Sequence, residues 1–460
     1  TNCQERLPSV RQAKVQRGVS ASTVFEAYAL LEARGLVVCR PRSGFYVAAA
    51  QRSRAPEPAT ATPAKRASAV AISDLVFEVL GATRDPALAP LGSAFPSPHF
   101  FPLDKLARHL TPAMRQLPPE QLTEHLTLGD ATLQRQIALR YARAGIRVEP
   151  AELVMTNGAM EALNLCLQVV AQPGDVVVVE SPAFYAALQA LERLQLRAVE
   201  VATHPRWGVD LQSLAEVFAR EPVKACWLMP NFQNPLGSLM PLENKRALAA
   251  LLAQYQVPLI EDDVYGELYY GLNRPPPVKA FDREGLVLHC SSFSKCLAPG
   301  YRVGWVSAGR FSGPVQRMKL TTSLATATPS QLALASYLQT GGFDRHLRHM
   351  RHALEENATL ALRCIGRAFP KGTKATRPLG GYFLWLELPR AVNALALQRQ
   401  ALAQGLSLAP GPLFSADGRF AHHLRVNYGF TRFKHLKTIG DPDDALFLST
   451  CDADYVKRYF

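Results

Sequence analysis

None of the eight cysteines (Cys3, Cys39, Cys166, Cys226, Cys290, Cys296, Cys364, Cys451) stands in the C-x-x-C spacing of a metal clamp or redox pair. No metal site is expected, and the thiols read as small buried hydrophobes of a reducing compartment. Long apolar runs are missing too; Val176–Val179 is far shorter than a membrane span. The N-terminus starts at Thr1 and has no apolar signal-peptide core, so the expectation is a soluble, cytoplasmic protein. Acidic residues are in deficit, 38 Asp and Glu against 51 Lys and Arg, a formal charge of +13.

That charge is unevenly placed. Residues 1–70 hold 11 Lys and Arg against 4 Asp and Glu, which accounts for more than half of the excess. A basic head on a milder body suits contact with phosphates, although a generally basic proteome would give the same bias. At 460 residues the chain calls for two folding units.

In Leu7-Pro-Ser-Val-Arg-Gln12, Ser9 and Gln12 make a capping box that predicts a helix from Val10 to near Gly18. Ser20 can cap a second helix, Ala21–Arg34, whose Val24, Tyr28 and Leu31 share one face before Gly35 ends it. Leu36–Val47 reads as a hairpin around Arg-Pro-Arg-Ser-Gly. Two short helices and a basic hairpin match a helix-turn-helix with a wing. Residues 51 to about 70, rich in Ala, Pro, Arg and Ser and without a period, read as a mobile linker.

Downstream, continuous apolar runs alternate with helical patterns: Leu153–Met155, Val176–Val179, Ala198–Val201, Ala225–Met229, Val257–Ile260, Leu286–His289 and Val303–Val306. Such runs predict strands buried on both faces, hence an α/β domain with a mainly parallel sheet and its chemistry at the strand ends. Polar clusters follow these runs. Thr156-Asn-Gly158 enters a helix, a natural anion site, and Phe184 follows a strand where it could stack on a ring. Asn234 sits in Asn-Pro-Leu-Gly237, and Asp262 precedes Tyr265 by three. Lys295 lies among Ser291, Ser292 and Ser294, with Arg302 seven residues on. A Schiff-base lysine needs a desolvated position, and a phosphate needs hydroxyls and a guanidinium. Each piece alone has a plainer meaning: a Ser-Lys pair is usually surface, and Asp262 with Asp263 could cap a helix. Their order along one chain spells a single site.

The segment from Leu7 to Ala48 resembles the winged helix of the GntR regulators across its last two helices and wing; the family's first helix has no counterpart in Thr1–Arg6. That resemblance implies Arg11, Ser22, Thr23, Arg42 and Gly44 at or near DNA. Residues from about 90 to 430 resemble the aspartate aminotransferase superfamily, fold-type I, which implies bound pyridoxal 5'-phosphate. By that resemblance Lys295 forms the aldimine, Asp262 meets the pyridine nitrogen, Asn234 and Tyr265 the ring oxygen, and Phe184 the ring face. Gly158, Ala159, Met160, Ser292, Ser294 and Arg302 would hold the phosphate, and Arg425 an α-carboxylate. Gly380–Trp385 looks like a strand of a small α+β C-terminal domain.

Three features depart from the pattern: Ala159 replaces a hydroxyl residue, Glu124–Gly129 offers no tyrosine, and no closing helix follows Gly429. The whole chain resembles the MocR-type regulators: winged helix 1–50, linker 51–74, aminotransferase-like domain 75–460. This implies a homodimer that binds operator DNA and senses the cofactor or an amino compound through Lys295. An active aminotransferase acting on an α-amino acid, and a scaffold without cofactor, are the alternatives.

Overall fold

The computed structural model describes residues 7–33, 37–40, 44–47, 55–81, 88–120 and 129–430. Arg42, residues 124–128 and the stretch after Phe430 lie outside them, as do residues 1–6. Two units are present, Thr1–Arg54 and Ala55–Phe460.

In the first unit Ser9 Oγ accepts from the Gln12 amide at 3.3 Å, while the Ser9 amide donates to Gln12 Oε1 at 2.9 Å. This capping box starts helix Val10–Arg17, which stops at Gly18 in the left-handed region, φ 64°. Ser20 Oγ then accepts from the Thr23 amide at 3.1 Å at the head of helix Ala21–Ala33. Strands β1 (Val37–Arg40) and β2 (Gly44–Val47) pair antiparallel, with Arg40 opposite Gly44. Among the described residues Ala13, Val24 and Tyr28 form a buried cluster flanked by Leu7, Val10, Leu31 and Phe45, and Val37 of β1 is buried as well. Tyr28 packs edge-on to Phe45, centroids 5.0 Å apart, and its hydroxyl donates to the Pro8 carbonyl at 2.9 Å. One tyrosine thus fixes both wing and helix entry, giving the expected winged helix-turn-helix.

The described strands of the second unit are β3 (Ser68–Ala69), β4 (Ala89–Pro90), β5 (Leu153–Thr156), β6 (Val176–Ser181), β7 (Arg197–His204), β8 (Gly208–Val209), β9 (Val223–Leu228), β10 (Leu259–Asp262), β11 (Val287–Ser292), β12 (Gly304–Ser307), β13 (Lys374–Ala375), β14 (Phe383–Glu387), β15 (Leu406–Ser407), β16 (Ala409–Pro410) and β17 (His423–Asn427). The main sheet runs β3-β7-β6-β9-β10-β11-β12-β5, with β8 beside β7. From β7 through β11 the pairs are parallel, whereas β12 is antiparallel to both neighbours and β3 to β7. All seven apolar runs became strands of this sheet. Alternation explains their composition: Val177 and Val179 of β6 face the core that holds helix Ala159–Val170, while Val176 and Val178 face the one that holds helices Leu211–Arg220 and Leu242–Tyr255. Both faces are apolar because both are covered.

A second sheet, β13-β14-β17-β16, forms the smaller C-terminal lobe and contains the strand read in Gly380–Trp385. Helix Gly342–Ala368 has Phe343, Leu347, Met350, Leu354, Ala358, Ala361 and Ile365 buried, the spacing of three and four that keeps one stripe inward.

The stretch read as a mobile linker differs from that expectation. From Ala55 on it is docked onto the second unit: the Pro56 carbonyl accepts from the Ala375 amide at 2.9 Å, Lys65 pairs with Glu216 at 2.8 Å, and Ser68–Ala69 add β3 to the sheet edge. Composition without a period disguised partners that are mostly backbone groups. Helix Ser73–Gly81 follows, its first amides and the Ser73 hydroxyl held by Glu192.

Candidate functional site

Parallel strands deliver their C-terminal ends to one edge of the sheet, and the sequence-predicted side chains gather there: Gly158 after β5, Phe184 after β6, Asn234 after β9, Asp262 ending β10 and Lys295 after β11. The register fixes one corner of the site. Ser292 of β11 lies opposite Gly304 of β12, which lies opposite Thr156 of β5, so the loops after β11 and β5 meet.

At that corner Gly158, φ 90°, precedes helix Ala159–Val170, and no side chain caps the helix. Arg302 Nη2 donates to the Asn157 carbonyl at 2.9 Å and Nη1 to Ser294 Oγ at 3.3 Å. A Cβ on Gly158 would lie 2.3 Å from Arg302 Nη2, and one on Gly304 would lie 2.6 Å from the Gly158 carbonyl carbon. Only glycines permit this approach. Ser292 Oγ accepts from the Ser294 amide at 3.3 Å. An uncapped helix start, an exposed guanidinium and two hydroxyls are the donor set that could receive an anion. Met160 is half-buried in the first turn, and Ala159 supplies no hydroxyl.

Lys295 lies in the loop after β11. Its Nζ donates to the Ala94 carbonyl at 2.9 Å and lies 3.5 Å from the centroid of the Phe95 ring. Burial lowers its pKa to about 7; the positive charges of Arg425 and Arg302 act the same way, and Asp262 opposes them. Asp262 is buried, Oδ1 without a hydrogen-bond partner, and burial with the neighbouring Asp263 raises its pKa to about 7.

Arg425 of β17 is fully buried. It donates to Asn234 Oδ1 at 3.0 Å and to the Gly92 carbonyl at 2.6 Å, and its guanidinium lies 4.4 Å from the Phe383 ring centroid. Arg425 Nε and Asn234 Nδ2 are buried without a partner. Tyr265 packs edge-on against Tyr382 and Phe383, and burial pushes its phenol above the usual range. Phe184 is half-buried at the start of helix Tyr185–Arg193. Direct contacts thus join Arg425 to Asn234 and Arg302 to Ser294 and the turn before Gly158, while Phe184 and Met160 stand at the heads of their helices.

Sequence reasoning missed its floor and its rim. The turn Gly92–Phe95 crosses the site, and its carbonyls receive Arg425, Lys295, Tyr382 and Asn427. Its one sequence signal is Gly92, where a Cβ would meet the Leu408 carbonyl at 2.6 Å. Beneath, Asp263 receives Asn231 Nδ2 at 2.9 Å and Arg274 Nη2 at 2.7 Å and faces His289 Nε2 at 3.1 Å, while its backbone carbonyl accepts from Ser291 Oγ. It thereby joins the loops after β9 and β10 to strand β11. The Asp-Asp pair is the visible clue, for which the sequence offers helix capping as the plainer alternative and no role for Asp263.

In the first unit Arg11, Ser22 and Thr23 are exposed, the last two in the first turn of helix Ala21–Ala33. Ser20 Oγ lies 2.7 Å from Ser22 Oγ and 2.8 Å from Thr23 Oγ1, so the three hydroxyls form one polar knot. Gly44, φ 102°, opens β2.

Comparison with known proteins follows the same division. Residues 111–434 match the aminotransferase class I and II family, and residues 1–47 match the bacterial regulatory proteins of the gntR family. The HTH-type transcriptional regulator YdcR of Escherichia coli strain K12 is 48% identical over 423 residues, 92% of this chain and 90% of that protein. YjiR of the same strain, also an HTH-type transcriptional regulator, is 36% identical over 95% of this chain and 94% of its own. LysN, an α-aminoadipate aminotransferase of Thermus thermophilus solved with N-(5'-phosphopyridoxyl)-L-leucine, superposes with a TM-score of 0.72 at 28% identity, covering 85% of this chain and 99% of that one. Among the described residues no helix is long and apolar enough to cross a membrane.

Proposed function

Because this chain belongs to the aminotransferase class I and II family and carries a GntR-type regulatory unit, the MocR-type architecture, we propose that it is a transcriptional regulator that binds pyridoxal phosphate at Lys295 and operator DNA through its winged helix. The observation that carries the cofactor half is a set of buried polar atoms left without partners, Asp262 Oδ1, Asn234 Nδ2 and Arg425 Nε, around a lysine of depressed pKa. Buried polar groups without partners are costly, and a polar ligand with a phosphate, a ring nitrogen and a carboxylate would satisfy them.

Bound there, the cofactor supplies an electrophilic carbonyl and an electron-withdrawing ring. Lys295, able to lose its proton near neutrality, is the nucleophile. Asp262 holds a proton or a positive charge at the ring nitrogen, and Asn234 and Tyr265 orient the ring oxygen. Phe184 covers the ring face. Gly158, the amides of Ala159 and Met160, Ser292, Ser294 and Arg302 hold the phosphate, while Arg425 takes the carboxylate of an amino compound. Arg11, Ser22, Thr23, Arg42 and Gly44 approach DNA, with Ser22 and Thr23 on the helix that enters the major groove. The protein works in the cytoplasm as a homodimer, its effector an amino compound exchanging with Lys295.

Two measurements test this reading. Added pyridoxal phosphate should give an absorption band that Lys295→Ala abolishes, and footprinting of the gene's own upstream region should show a protected site. A chain without either property is not this regulator. The same residues permit transamination of an α-amino acid; rapid turnover with amino acid and keto acid, unaccompanied by specific DNA binding, would favour the enzyme.

A further inference from the structure

The segment Ala55–Ala69 touches both lobes of the second unit. On the smaller lobe, Arg377 Nη2 donates to the Ala55 carbonyl at 3.0 Å, the Ala375 amide to the Pro56 carbonyl at 2.9 Å, and the Ala59 amide to Glu387 Oε2 at 3.2 Å. On the larger lobe, Arg206 Nε donates to Glu57 Oε2 at 2.6 Å, Lys65 Nζ to Glu216 Oε2 at 2.8 Å, and Arg197 Nη2 to the Ala67 carbonyl at 3.0 Å. Ser68 and Ala69 then pair with Ala198 and Arg197 of β7. Contacts to the two lobes interleave between Ala55 and Ala59, so this part lies across their seam.

The smaller-lobe contacts are linked to the candidate site through the β-ladder. Arg425 pairs across strands with Trp385. Trp385 exchanges hydrogen bonds with Thr376, its amide donating to Thr376 Oγ1 and its carbonyl accepting from the Thr376 amide, both at 3.0 Å. Thr376 stands between Ala375 and Arg377, the two residues that grip the strap. A displacement of Arg425 by a carboxylate is therefore two strands away from the point where the chain leaves for the N-terminal unit.

We propose that residues 55–69 act as a strap that senses the angle between the two lobes and passes it to the DNA-binding unit. This rests on the reading that Arg425 and Lys295 bind a cofactor-linked amino compound. Individually these contacts are weak, since exposed ion pairs contribute little, so a small change in lobe angle can redistribute them. Coupling of this kind requires only that the ligand favour one arrangement of the strap over the other.

The probe is N-(5'-phosphopyridoxyl)-L-leucine, which carries phosphate, ring and carboxylate without reacting. In the full chain, binding should change amide exchange at Ala59 and Ala375 and shift operator affinity by about fivefold, a typical coupling. Two variants break the strap from opposite sides, Arg377→Ala with Glu387→Gln, and Glu57→Gln with Lys65→Gln. Each should bind the probe within about twofold of the original chain yet lose most of the affinity shift. If one variant fails to fold by circular dichroism, the other decides. Probe binding without altered exchange in residues 55–69, or an undiminished affinity shift in a folded variant, overturns the strap alone. Failure of the original chain to bind the probe overturns the site reading and the strap with it.

Discussion

The two units use polar chemistry in opposite ways. In the N-terminal unit the polar groups assigned to DNA, Arg11, Ser22 and Thr23, are exposed, and the buried hydrophobics among the described residues are Ala13, Val24, Tyr28 and Val37. In the second unit the decisive groups are taken out of water: Asp262, Asp263, Asn234 and Arg425 are almost fully buried inside a far larger core. Exposed charge binds a polyanion at long range with little reorganisation. Buried charge shifts its pKa and demands partners, which is how a small molecule is captured chemically. The proposed sensor and DNA reader would need one of each.

The sharpest break in this comparison is at Lys295. Lys295→Ala should abolish covalent capture of pyridoxal phosphate, measured as loss of borohydride-fixed cofactor, while leaving the melting of the N-terminal unit unchanged. Next is Asp263→Asn. It removes a buried charge that pairs Arg274 and faces His289, and loss of one member of such a pair costs about 3–5 kcal/mol. A melting temperature within a degree of the original would show that the hub is dispensable.

Proton linkage gives a third test. Because burial and Arg425 hold the Lys295 pKa near 7, capture of pyridoxal phosphate should accelerate with rising pH through an inflection near that value. A free lysine would place it at about 10.4. Arg425→Ala removes a depressing charge, so the inflection should move upward. In the cofactor-free chain the unfolded state binds the extra proton between these two values, so this group makes stability rise with pH across that window. An inflection unmoved by Arg425→Ala would separate the two side chains electrostatically.

The same contrast decides what the sequence disclosed. The fold was legible because seven buried strands must be apolar on both faces, and the winged helix because Ser9, Gln12, Gly18 and Ser20 are local stop and start signals. The side chains of the candidate site were legible as residue types at strand ends. What stayed hidden was carried by backbone: the carbonyls of Gly92 and Ala94 that receive Arg425 and Lys295, and the Pro56 carbonyl that docks the supposed linker. A carbonyl has no signature in composition. Asp263 was hidden for another reason, since its three partners come from residues 231, 274 and 289 and no local pattern joins them.

On the exposed side the expected effects are smaller. Arg11→Ala should weaken operator binding about tenfold and lower the magnitude of the salt slope by roughly 1 if Arg11 meets a phosphate. The same substitution should leave cofactor binding untouched. A salt slope identical to the original would take Arg11 off the DNA surface.

The smallest effect separates stability from recognition in the first unit. Ser20 is polar and exposed like Ser22 and Thr23, but its Oγ accepts the Thr23 amide at the head of helix Ala21–Ala33. Loss of such a cap costs about 1 kcal/mol. That loss falls on the first unit, where Ser20 heads helix Ala21–Ala33, whereas the second unit makes no use of it. Ser20→Ala should therefore lower the first transition in a two-step melt and leave the second in place. Ser20→Asp, which keeps an acceptor at the cap, should restore the first transition, yet its negative charge beside the helix proposed to face DNA should weaken operator binding. If Ser20→Asp restored both, the hydroxyl knot of Ser20, Ser22 and Thr23 would be a capping device alone, and recognition would pass to other residues of that helix.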